Sequence, residues 1–559
     1  TDAQLEQVTR DFGNHALAIN LLTAYLSEIP GKEVARASQI PDLDIPDQEG
    51  RHPRRVMEAF AEAFGQSPEL NVLYMMGLFD RPARADEINY LRKGRSIRGL
   101  TKRIGRLSRK GWRRVIHNLR SARLIAPESH HDPGGLDAHP LVREHFGEKL
   151  RAQYPAAWKE AHSRLYEHYK RLPKKKLPDT LEEMMPLYQA VTHGCLAGRH
   201  QEALDEVYNR RIQRRKEFYS TKKLGAFGAE LAAIAGFLDR PWRQPVDGLR
   251  EADKGFVLNE AGLDLRALGR LAEAAGPMEA ALGAYLAQSV WQNAARSAGN
   301  LSQLFLTLGD VAKALDYAER SVKYAEESGE ASQRVTKRAI LADALHEAGR
   351  LAEAEAAFRG AEAIQKEDQP RYPFLYSVQG FLYCDLLMAR GEYGEARHRA
   401  SRTLGIAEGN EWLVDIALDH LTLGRGSLLA ALHAGTGDFS EAADQFEQAV
   451  DGLRKAGVQE LIARGLLARA ELHRVRGAFL DARRDVEDAF EIATRGGMRL
   501  YECDAHLESS RLILAMLEAG PQLNAQDILP DSALALFDAA DRPILAARKH
   551  LDRASSLIQ

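Results

Sequence analysis

Three short stretches of similar sequence decide the fold of this chain: LTLGDVAKA (Leu306–Ala314), HEAGRLAEA (His346–Ala354) and GTGDFSEA (Gly435–Ala442). They belong to six turns between residues 268 and 482, in each of which an alanine follows a glycine by five positions. The glycines are Gly269, Gly309, Gly349, Gly391, Gly437 and Gly477, and the alanines are Ala274, Ala314, Ala354, Ala396, Ala442 and Ala482. Self-similarity of this kind is the sequence signature of a repeat protein.

Each turn glycine lies between two helix-length segments whose apolar residues recur three and four positions apart. The repeating unit is therefore predicted to be a helical hairpin. Glycine suits the end of the first helix because it adopts a left-handed conformation without a Cβ penalty. The alanine on the second helix lets the two backbones approach closely.

The turns resemble a tetratricopeptide repeat, which has a small residue before the turn and a large residue four positions after the alanine. Those residues are Gly262, Ala342 and Ala430 before the turn, and Met278, Phe358 and Phe446 after it. Successive turn glycines lie 40, 40, 42, 46 and 40 residues apart rather than the usual 34, so we expect longer helices or loops. The resemblance covers about half of the chain and implies an α-solenoid whose concave face binds another molecule.

Composition places the chain among ordinary helix-rich soluble proteins, with 45% hydrophobic and 28% charged residues. A length of 559 residues is too great for a single core. The three cysteines lie far apart and form neither a disulfide framework nor a metal pair, and no apolar run is long enough for a membrane span. We therefore expect a cytoplasmic protein, and the absence of a methionine at Thr1 favours a fragment of a longer one.

A strongly basic segment extends from Arg92 to Ala126, with thirteen lysines and arginines and no carboxylate, although the whole chain carries a formal net charge of −3. Helices are predicted around it through Val56–Phe64, Leu70–Phe79, Arg84–Leu91 and Trp112–Ala122, followed by strands at Arg123–Ala126 and Leu136–His139 and a further helix. This order predicts a winged helix. Its basic third helix would suit the major groove of DNA, whereas a solvated surface or an acidic partner domain are the other interpretations.

Two segments resemble motifs of the signal-transduction ATPases with numerous domains. LDAHPLVREHF (Leu136–Phe146) is similar to the histidine motif at the end of the winged helix in that family. GNHALAI (Gly13–Ile19) is similar to the segment that ends the nucleotide-binding region, with Ala16 at the position of the family's proline. The resemblance implies that His139 approaches the β-phosphate of bound ADP in the intact protein and helps to hold the closed state.

The expected fold is therefore dominated by α-helix, with a winged-helix domain followed by an α-solenoid of tetratricopeptide-like hairpins. The expected divisions are 1–50 for the end of the nucleotide-binding helical region and a linker, 51–150 for the winged helix, 151–255 for a helical arm, 256–530 for the repeats and 531–559 for a capping helix. By resemblance, the chain is the regulatory and ligand-sensing portion of an ATPase switch. The implied partners are an inducer (a small molecule or a peptide), an upstream nucleotide-binding domain of the same chain, and further copies of the protein on activation.

Catalysis finds little support in the sequence. There is no G-x-x-x-x-G-K-[ST] loop for phosphates, no metal-ligand spacing and no recognisable Ser, His and Asp set. We expect no enzymatic activity, cofactor or metal in this chain, and ATP or ADP only in the intact protein. The alternative functions are a tetratricopeptide scaffold or adaptor and a DNA-binding winged-helix regulator.

Ligand-binding residues are predicted on the first helix of each hairpin, at the family's inward-facing offsets of six and ten residues before the turn glycine. The predicted set is Asn259, Gln303, Asp343, Phe381, Asp385 and Glu471. Acids, amides and one aromatic ring suit a polar or cationic small molecule, or a peptide, better than a polyanion. An aromatic ring turned to solvent at Phe381, beside Asp385, would provide stacking and a charged hydrogen bond together. The competing interpretation is that the acids only keep an exposed groove soluble.

Overall fold

The computed structural model describes residues 2–28, 37, 40, 42–43, 50–519 and 543–558. The chain divides into two compact units: unit 1 comprises Thr1–Lys174 and Gln189–Val207, and unit 2 comprises Lys175–Tyr188 and Tyr208–Gln559. Strand in the described part of the chain is limited to one antiparallel pair, β1 (Leu238–Arg240) and β2 (Gln244–Pro245), and one isolated bridge. The prediction of an α-helical solenoid fold is confirmed.

Unit 1 consists mainly of α-helices, and the residues of one of them, Leu181–Leu196, are divided between the two units. The helices are α1 (Asp2–Asp11), α2 (Ala16–Glu28), α3 (Arg51–Phe64), α4 (Pro68–Met76), α5 (Ala85–Lys93), α6 (Arg109–Ser121), α7 (Pro140–Gln153), α8 (Pro155–Arg171), α9 (Leu181–Leu196) and α10 (His200–Glu202), with a short 3₁₀ helix at Ile104–Arg106. The apolar pattern of residues 1–26 predicts a single helix, but the structure interrupts it between α1 and α2. Gly13 and Asn14 both adopt left-handed backbone conformations there, with φ of 63° and 53°, which no continuous right-handed helix accommodates.

The two strands predicted at Arg123–Ala126 and Leu136–His139 do not form a ladder. The Ala126 N–H donates to the Asp137 carbonyl at 2.8 Å, and Leu136 instead forms its bridge with Ala83. Arg123 has a left-handed φ of 56°, which breaks the extended conformation at the start of the first segment. The strand prediction was therefore wrong, although α4, α5, α6, the two non-helical segments and α7 follow in the predicted order.

Unit 2 begins with irregular structure and continues as stacked hairpins. A π-helix (Ala203–Ile212) enters it, followed by a 3₁₀ turn (Arg215–Glu217), α11 (Tyr219–Lys222) and α12 (Phe227–Ala235). The hairpins of repeats 1 to 6 are α13 (Glu251–Ala267) with α14 (Leu271–Ala287), α15 (Trp291–Thr307) with α16 (Val311–Ser328), α17 (Ala331–Glu347) with α18 (Leu351–Asp368), α19 (Ser377–Ala389) with α20 (Tyr393–Asn410), α21 (Leu413–Ala434) with α22 (Ser440–Ala456), and α23 (Gln459–Val475) with α24 (Phe479–Gly496).

A seventh pair follows the sixth repeat. Helix α25 (Arg499–Glu518) packs against α26 (Pro543–Ile558), with His506 Nδ1 lying 2.8 Å from His550 Nδ1. The sequence also predicts a last hairpin turn near Gly520-Pro521. This turn and the start of the expected capping helix at Asp531 lie outside the described residues.

The turns have the conformation that the repeat pattern predicts. All six turn glycines are left-handed, with φ between 66° at Gly437 and 81° at Gly309. The alanine five residues after each glycine is at most 1% exposed. Steric freedom at one position and small size at the other therefore define the hairpin, and the stacked hairpins form a tetratricopeptide-like α-solenoid.

The unusual spacing between turns has two structural sources. Most repeat helices are 17 or 18 residues long. The 46-residue interval contains the 22-residue helix α21, and the 42-residue interval contains the loop 369–376 between α18 and α19. The additional residues therefore lengthen both helices of most hairpins and, between repeats 3 and 4, a loop.

Replacement of Gly262 tests the close contact between the two helices of repeat 1. A Cβ atom at this position would lie 2.4 Å from Met278 Cγ and 3.2 Å from the Ala274 carbonyl oxygen. We expect Gly262→Ala to lower the free energy of unfolding by about 1–3 kcal/mol through overpacking. Gly276→Ala is the matched control, since nothing lies within 4 Å of its Cβ position, and it should stabilise by up to about 1 kcal/mol. Equal effects of the two substitutions in urea unfolding would contradict this packing.

Candidate ligand groove of the repeat array

Four cavities follow one another inside unit 2, and consecutive cavities share lining residues. Cavity I has a volume of about 600 Å³, cavity II about 390 Å³, cavity III about 220 Å³ and cavity IV about 500 Å³. The residues shared from one cavity to the next are, in order, Lys222, Phe227 and Leu263; Arg266, Val458 and Glu460; and Glu347, Arg464, Leu500 and Tyr501. We refer to this continuous series, lined mainly by the first helices of the hairpins, as the groove.

Five of the six predicted ligand-binding residues line the groove. Gln303, Asp343 and Phe381 line cavity III, and Asp385 and Glu471 line cavity IV. The structure thus brings together side chains from repeats 2, 3, 4 and 6.

Asn259 is the sixth member of the predicted set and lines none of these four cavities. Its side chain is buried, where its amide donates to Glu260 at 3.2 Å and accepts from the Ser297 hydroxyl at 3.1 Å. Its hydrogen bonds join repeat 1 to repeat 2.

The predicted exposure of these side chains was wrong. Phe381 is 2% exposed, because the guanidinium of Arg464 lies over its ring at 4.7 Å. Asp343 and Asp385 are 7% and 5% exposed, so they do not act as solubilising groups on an open surface. Gln303 is half-buried, and Glu471 is partly accessible, with 31% of its side chain exposed. The acids lie in an interior where charge is costly unless it is paired.

Asp385 joins three successive repeats through its carboxylate. One oxygen accepts from Arg425 of repeat 5 and the other from Arg464 of repeat 6. Burial opposes the charge on Arg464, but Asp385 and other nearby acids outweigh it and raise its pKa. Removing one member of such a buried pair leaves an uncompensated charge and costs about 3–5 kcal/mol.

A second ion pair connects the first repeats with the sixth. The guanidinium of Arg266 on α13 donates to both carboxylate oxygens of Glu460 on α23, at 2.5 and 3.0 Å. Thr307 of α15 donates to the same carboxylate at 3.3 Å, and Arg266 also donates to Gln303 at 3.2 Å. The inner helices of repeats 1, 2 and 6 therefore contact one another across the groove.

Acidic groups outnumber their partners around cavities III and IV. Burial raises the pKa of Asp343 to about 8, with Glu347 adding to the effect. The interior therefore favours protons or other cations beside these carboxylates.

Sequence reasoning missed the arginines that hold the groove together, although a signal for some of them exists. Basic residues stand twelve or thirteen positions before the turn glycine in four of the six repeats, at Arg296, Lys337, Arg425 and Arg464. A search limited to the offsets of six and ten residues does not include this row. Arg266 and Glu460 have no such periodic signal, because their pairing depends on the curvature of the array.

In unit 1, His139 is exposed and caps α7. Its Nδ1 accepts the Leu141 N–H at 3.2 Å, so the neutral ring carries its proton on Nε2. In the segment Gly13–Ile19, which resembles the end of the family's nucleotide-binding region, Ala16 is the first residue of α2. Proline is also favoured at this position of a helix. Both residues therefore occupy helix N-termini, where backbone N–H groups favour anions.

The basic segment of unit 1 forms an exposed surface. All thirteen lysines and arginines are exposed except Arg92, which stacks on Trp112 at 4.4 Å, and Arg120, which is paired with Glu128 at 3.3 Å. On α6 the apolar residues Val115, Ile116 and Leu119 are buried, and the arginines and lysine occupy the other side. This geometry provides a basic surface without identifying what it contacts.

Two further observations concern the described part of the chain. None of its helices is both long and apolar enough to cross a bilayer. It also contains no group of three or more histidines, cysteines and acids that could hold a metal ion.

Comparison with known proteins gives structural likenesses only, since no family model and no curated protein matches the chain. A signal-transduction ATPase with numerous domains and a tetratricopeptide repeat sensor, from Pyrococcus horikoshii, is 13% identical over 95% of this chain and 72% of its own, with a TM-score of 0.39. A Rap protein complexed with competence and sporulation factor is 15% identical over 68% and 92% of the two chains, with a TM-score of 0.39.

The Rap conjugation gene regulator of plasmid pLS20, in complex with the Phr* peptide, is 13% identical over 72% of this chain and 98% of its own, with a TM-score of 0.40. At TM-scores of 0.40 and below, none of these likenesses supports an inference about this chain.

The pH dependence of stability tests the burial of Asp343. Its pKa in the folded chain, about 8, lies above the ordinary value of 3.8. Its stabilising contribution is thus fully present below about pH 4 and is lost as the pH rises through 8. We expect the unfolding midpoint of the protein to fall between pH 6 and pH 9, and to fall less in Asp343→Asn. The exposed Asp316→Asn should behave as the wild type. Parallel curves for all three proteins would contradict the assignment.

Proposed function

We propose that unit 2 is a ligand-sensing repeat array whose ligand binds in the groove. The observation that carries the proposal is the set of buried ion pairs, Arg266–Glu460 and Asp385 with Arg425 and Arg464, that line the groove and connect distant repeats. A ligand with matching charges replaces these partners and changes the distances between the repeats that they join.

Buried ion pairs suit a switch because their net stability is small. The Coulomb attraction between Arg266 and Glu460 is offset largely by the desolvation of both groups. A ligand that supplies an equivalent charge exchanges one pair for another at little cost. Its differential affinity for the open and the closed array then determines how far the equilibrium shifts.

By resemblance, the array is the sensor of a signal-transduction ATPase with numerous domains. In this proposal residues 51–150 form the winged helix, an upstream region of the same chain binds ATP or ADP, and activation permits self-association. The order of α4, α5, α6 and α7 and the position of Ala16 at the start of α2 support it. The chain described here supplies the regulation rather than the hydrolysis, because it contains no phosphate-binding loop.

A thermal-shift screen of peptides and small metabolites tests the sensing function. A ligand of the groove should raise the unfolding midpoint of the 559-residue chain, and the rise should keep growing with the logarithm of ligand concentration above Kd. Phe381→Leu combined with Asp385→Asn should weaken that ligand at least about tenfold, since both side chains line the groove. Leucine is used because Phe381 is buried and an alanine would leave a cavity. Asp316→Asn is the control, and equal affinity in all three proteins would contradict the proposal.

The regulatory role of His139 is tested in the intact protein by the rate of ADP release. Loss of a charge-assisted contact of about 1.5–3 kcal/mol should accelerate release roughly 10- to 100-fold in His139→Ala. His139→Asp is the matched variant, because its carboxylate keeps the acceptor at the helix cap but lacks the imidazole N–H. Both variants should release ADP faster, with His131→Ala, in the exposed turn, unchanged. Unaltered retention in both His139 variants would refute the role.

A further inference from the structure

Two buried carboxylates of α13 line cavity II without a cationic partner. Glu260 and Asp264 are 5% and 4% exposed and lie one helical turn apart, so that they share a face. Within the described residues neither forms an ion pair. Glu260 accepts a hydrogen bond from the Asn259 amide at 3.2 Å, and Asp264 Oδ2 has no hydrogen-bond partner.

A neighbouring buried acid, in contrast, has its hydrogen-bonding capacity fully met by protein groups. Glu230 of α12 is fully buried and accepts from the Tyr188 hydroxyl at 3.0 Å, from the Gln213 amide at 2.8 Å and from the Ser220 hydroxyl. Its hydrogen-bonding capacity is met inside the protein. Glu260 and Asp264 lack such partners and face a cavity instead.

The cations near cavity II do not neutralise these two acids. Arg266 is engaged with Glu460, and Lys222 lies over the Trp412 ring at 5.3 Å. Arg296 lines the cavity and favours the charged form of Glu260, but it forms no ion pair with it. Burial nevertheless dominates and raises the pKa of Glu260 to about 7, and burial together with Glu230 and Glu260 raises the pKa of Asp264.

We propose that cavity II binds the cationic end of the ligand, a primary ammonium or guanidinium group, between Glu260 and Asp264. This inference rests on the proposed function of the groove. A cation placed there forms charge-assisted hydrogen bonds with both carboxylates and removes the cost of leaving them unpaired. Phe218 and Phe227 line the same cavity and provide apolar and cation–π contacts for the attached chain.

The volume of cavity II, about 390 Å³, exceeds that of an ammonium group and accommodates an extended alkylamine such as a lysine side chain. A bare divalent cation fits less well, since Ca²⁺ requires six to eight oxygen ligands and two carboxylates supply four at most. The chemical class selected by the cavity is therefore an organic cation with an apolar stem.

The test uses two probes that differ only in the terminal ammonium group, N-acetyl-lysinamide and N-acetyl-norleucinamide, titrated into the 559-residue chain at pH 8 and followed by ligand-detected NMR. We expect the charged probe to bind at least about tenfold more tightly than the neutral one. Binding should weaken at pH 5.5, which lies below the pKa of about 7 of Glu260. Equal binding of both probes, or no binding of either, would overturn the inference.

Matched variants locate the binding. Glu260→Gln with Asp264→Asn should reduce affinity for the charged probe at least about tenfold, and Glu251→Gln, an exposed acid on the same helix, should leave it unchanged. The amides mimic the protonated acids, so the double variant should unfold at the same temperature as the wild type or higher at pH 8. Loss of probe binding in Glu251→Gln as well, or none in the double variant, would contradict the assignment.

The probe experiment and the ligand screen can fail independently of each other. The probe reports on cavity II alone, whereas the screened ligands report on Phe381 and Asp385 in cavities III and IV. Failure of the probe with a successful screen would refute the cation site and leave the sensing groove. Probe binding in the absence of any screened ligand that depends on Phe381 and Asp385 would refute the sensor and retain the site.

Discussion

The ion pair between Arg266 and Glu460 joins helices that lie 194 residues apart in the chain. A solenoid normally makes contacts only between neighbouring repeats, so its ends are independent of each other. Here repeats 1 and 2 bind repeat 6 through one carboxylate, which Thr307 also contacts. Further contacts, at Gly269 with Gly496 and at Gly309 with Arg499, join the same parts of the array, and together they enclose the groove.

The chemistry of the interior follows from that enclosure. Once α13, α15, α19, α23 and α25 face one another, their polar side chains lose water and depend on each other for charge compensation. Arg464 illustrates the result, because it pairs with Asp385 and also covers the Phe381 ring. Asp343, Glu260 and Asp264 have no comparable partner, and burial raises their pKa values. An array that retains such acids in its interior is suited to a ligand that brings positive charge.

The local part of this fold could be predicted from sequence because it depends on neighbours within one hairpin. Glycine at Gly349 and alanine at Ala354 report a turn and a close helix contact that need no information from elsewhere in the chain. The same reasoning placed Asp343 and Asp385 on the inner helices. It failed for Phe381, because the arginine that covers the ring belongs to a repeat two hairpins further along.

Long-range features were beyond the sequence pattern for a physical reason. The pairing of Arg266 with Glu460 depends on small rotations between hairpins that accumulate over five repeats, and no local motif encodes their sum. The non-helical segments around residues 123–139 show the same limit on a smaller scale, since Leu136 pairs with Ala83 rather than with the segment beside it in sequence.

A distance measurement between repeats 1 and 6 tests the closed array most directly. Spin labels are placed at Glu273 on α14 and Arg495 on α24, which are both exposed. These sites flank a close contact between the two repeats, where a Cβ atom added to Gly496 would lie 3.1 Å from the Gly269 carbonyl oxygen. The native cysteines are buried and should not react. Double electron–electron resonance should show one short, narrow distance that lengthens in Glu460→Gln. A broad or long distribution in the protein with Glu460 intact would contradict the account.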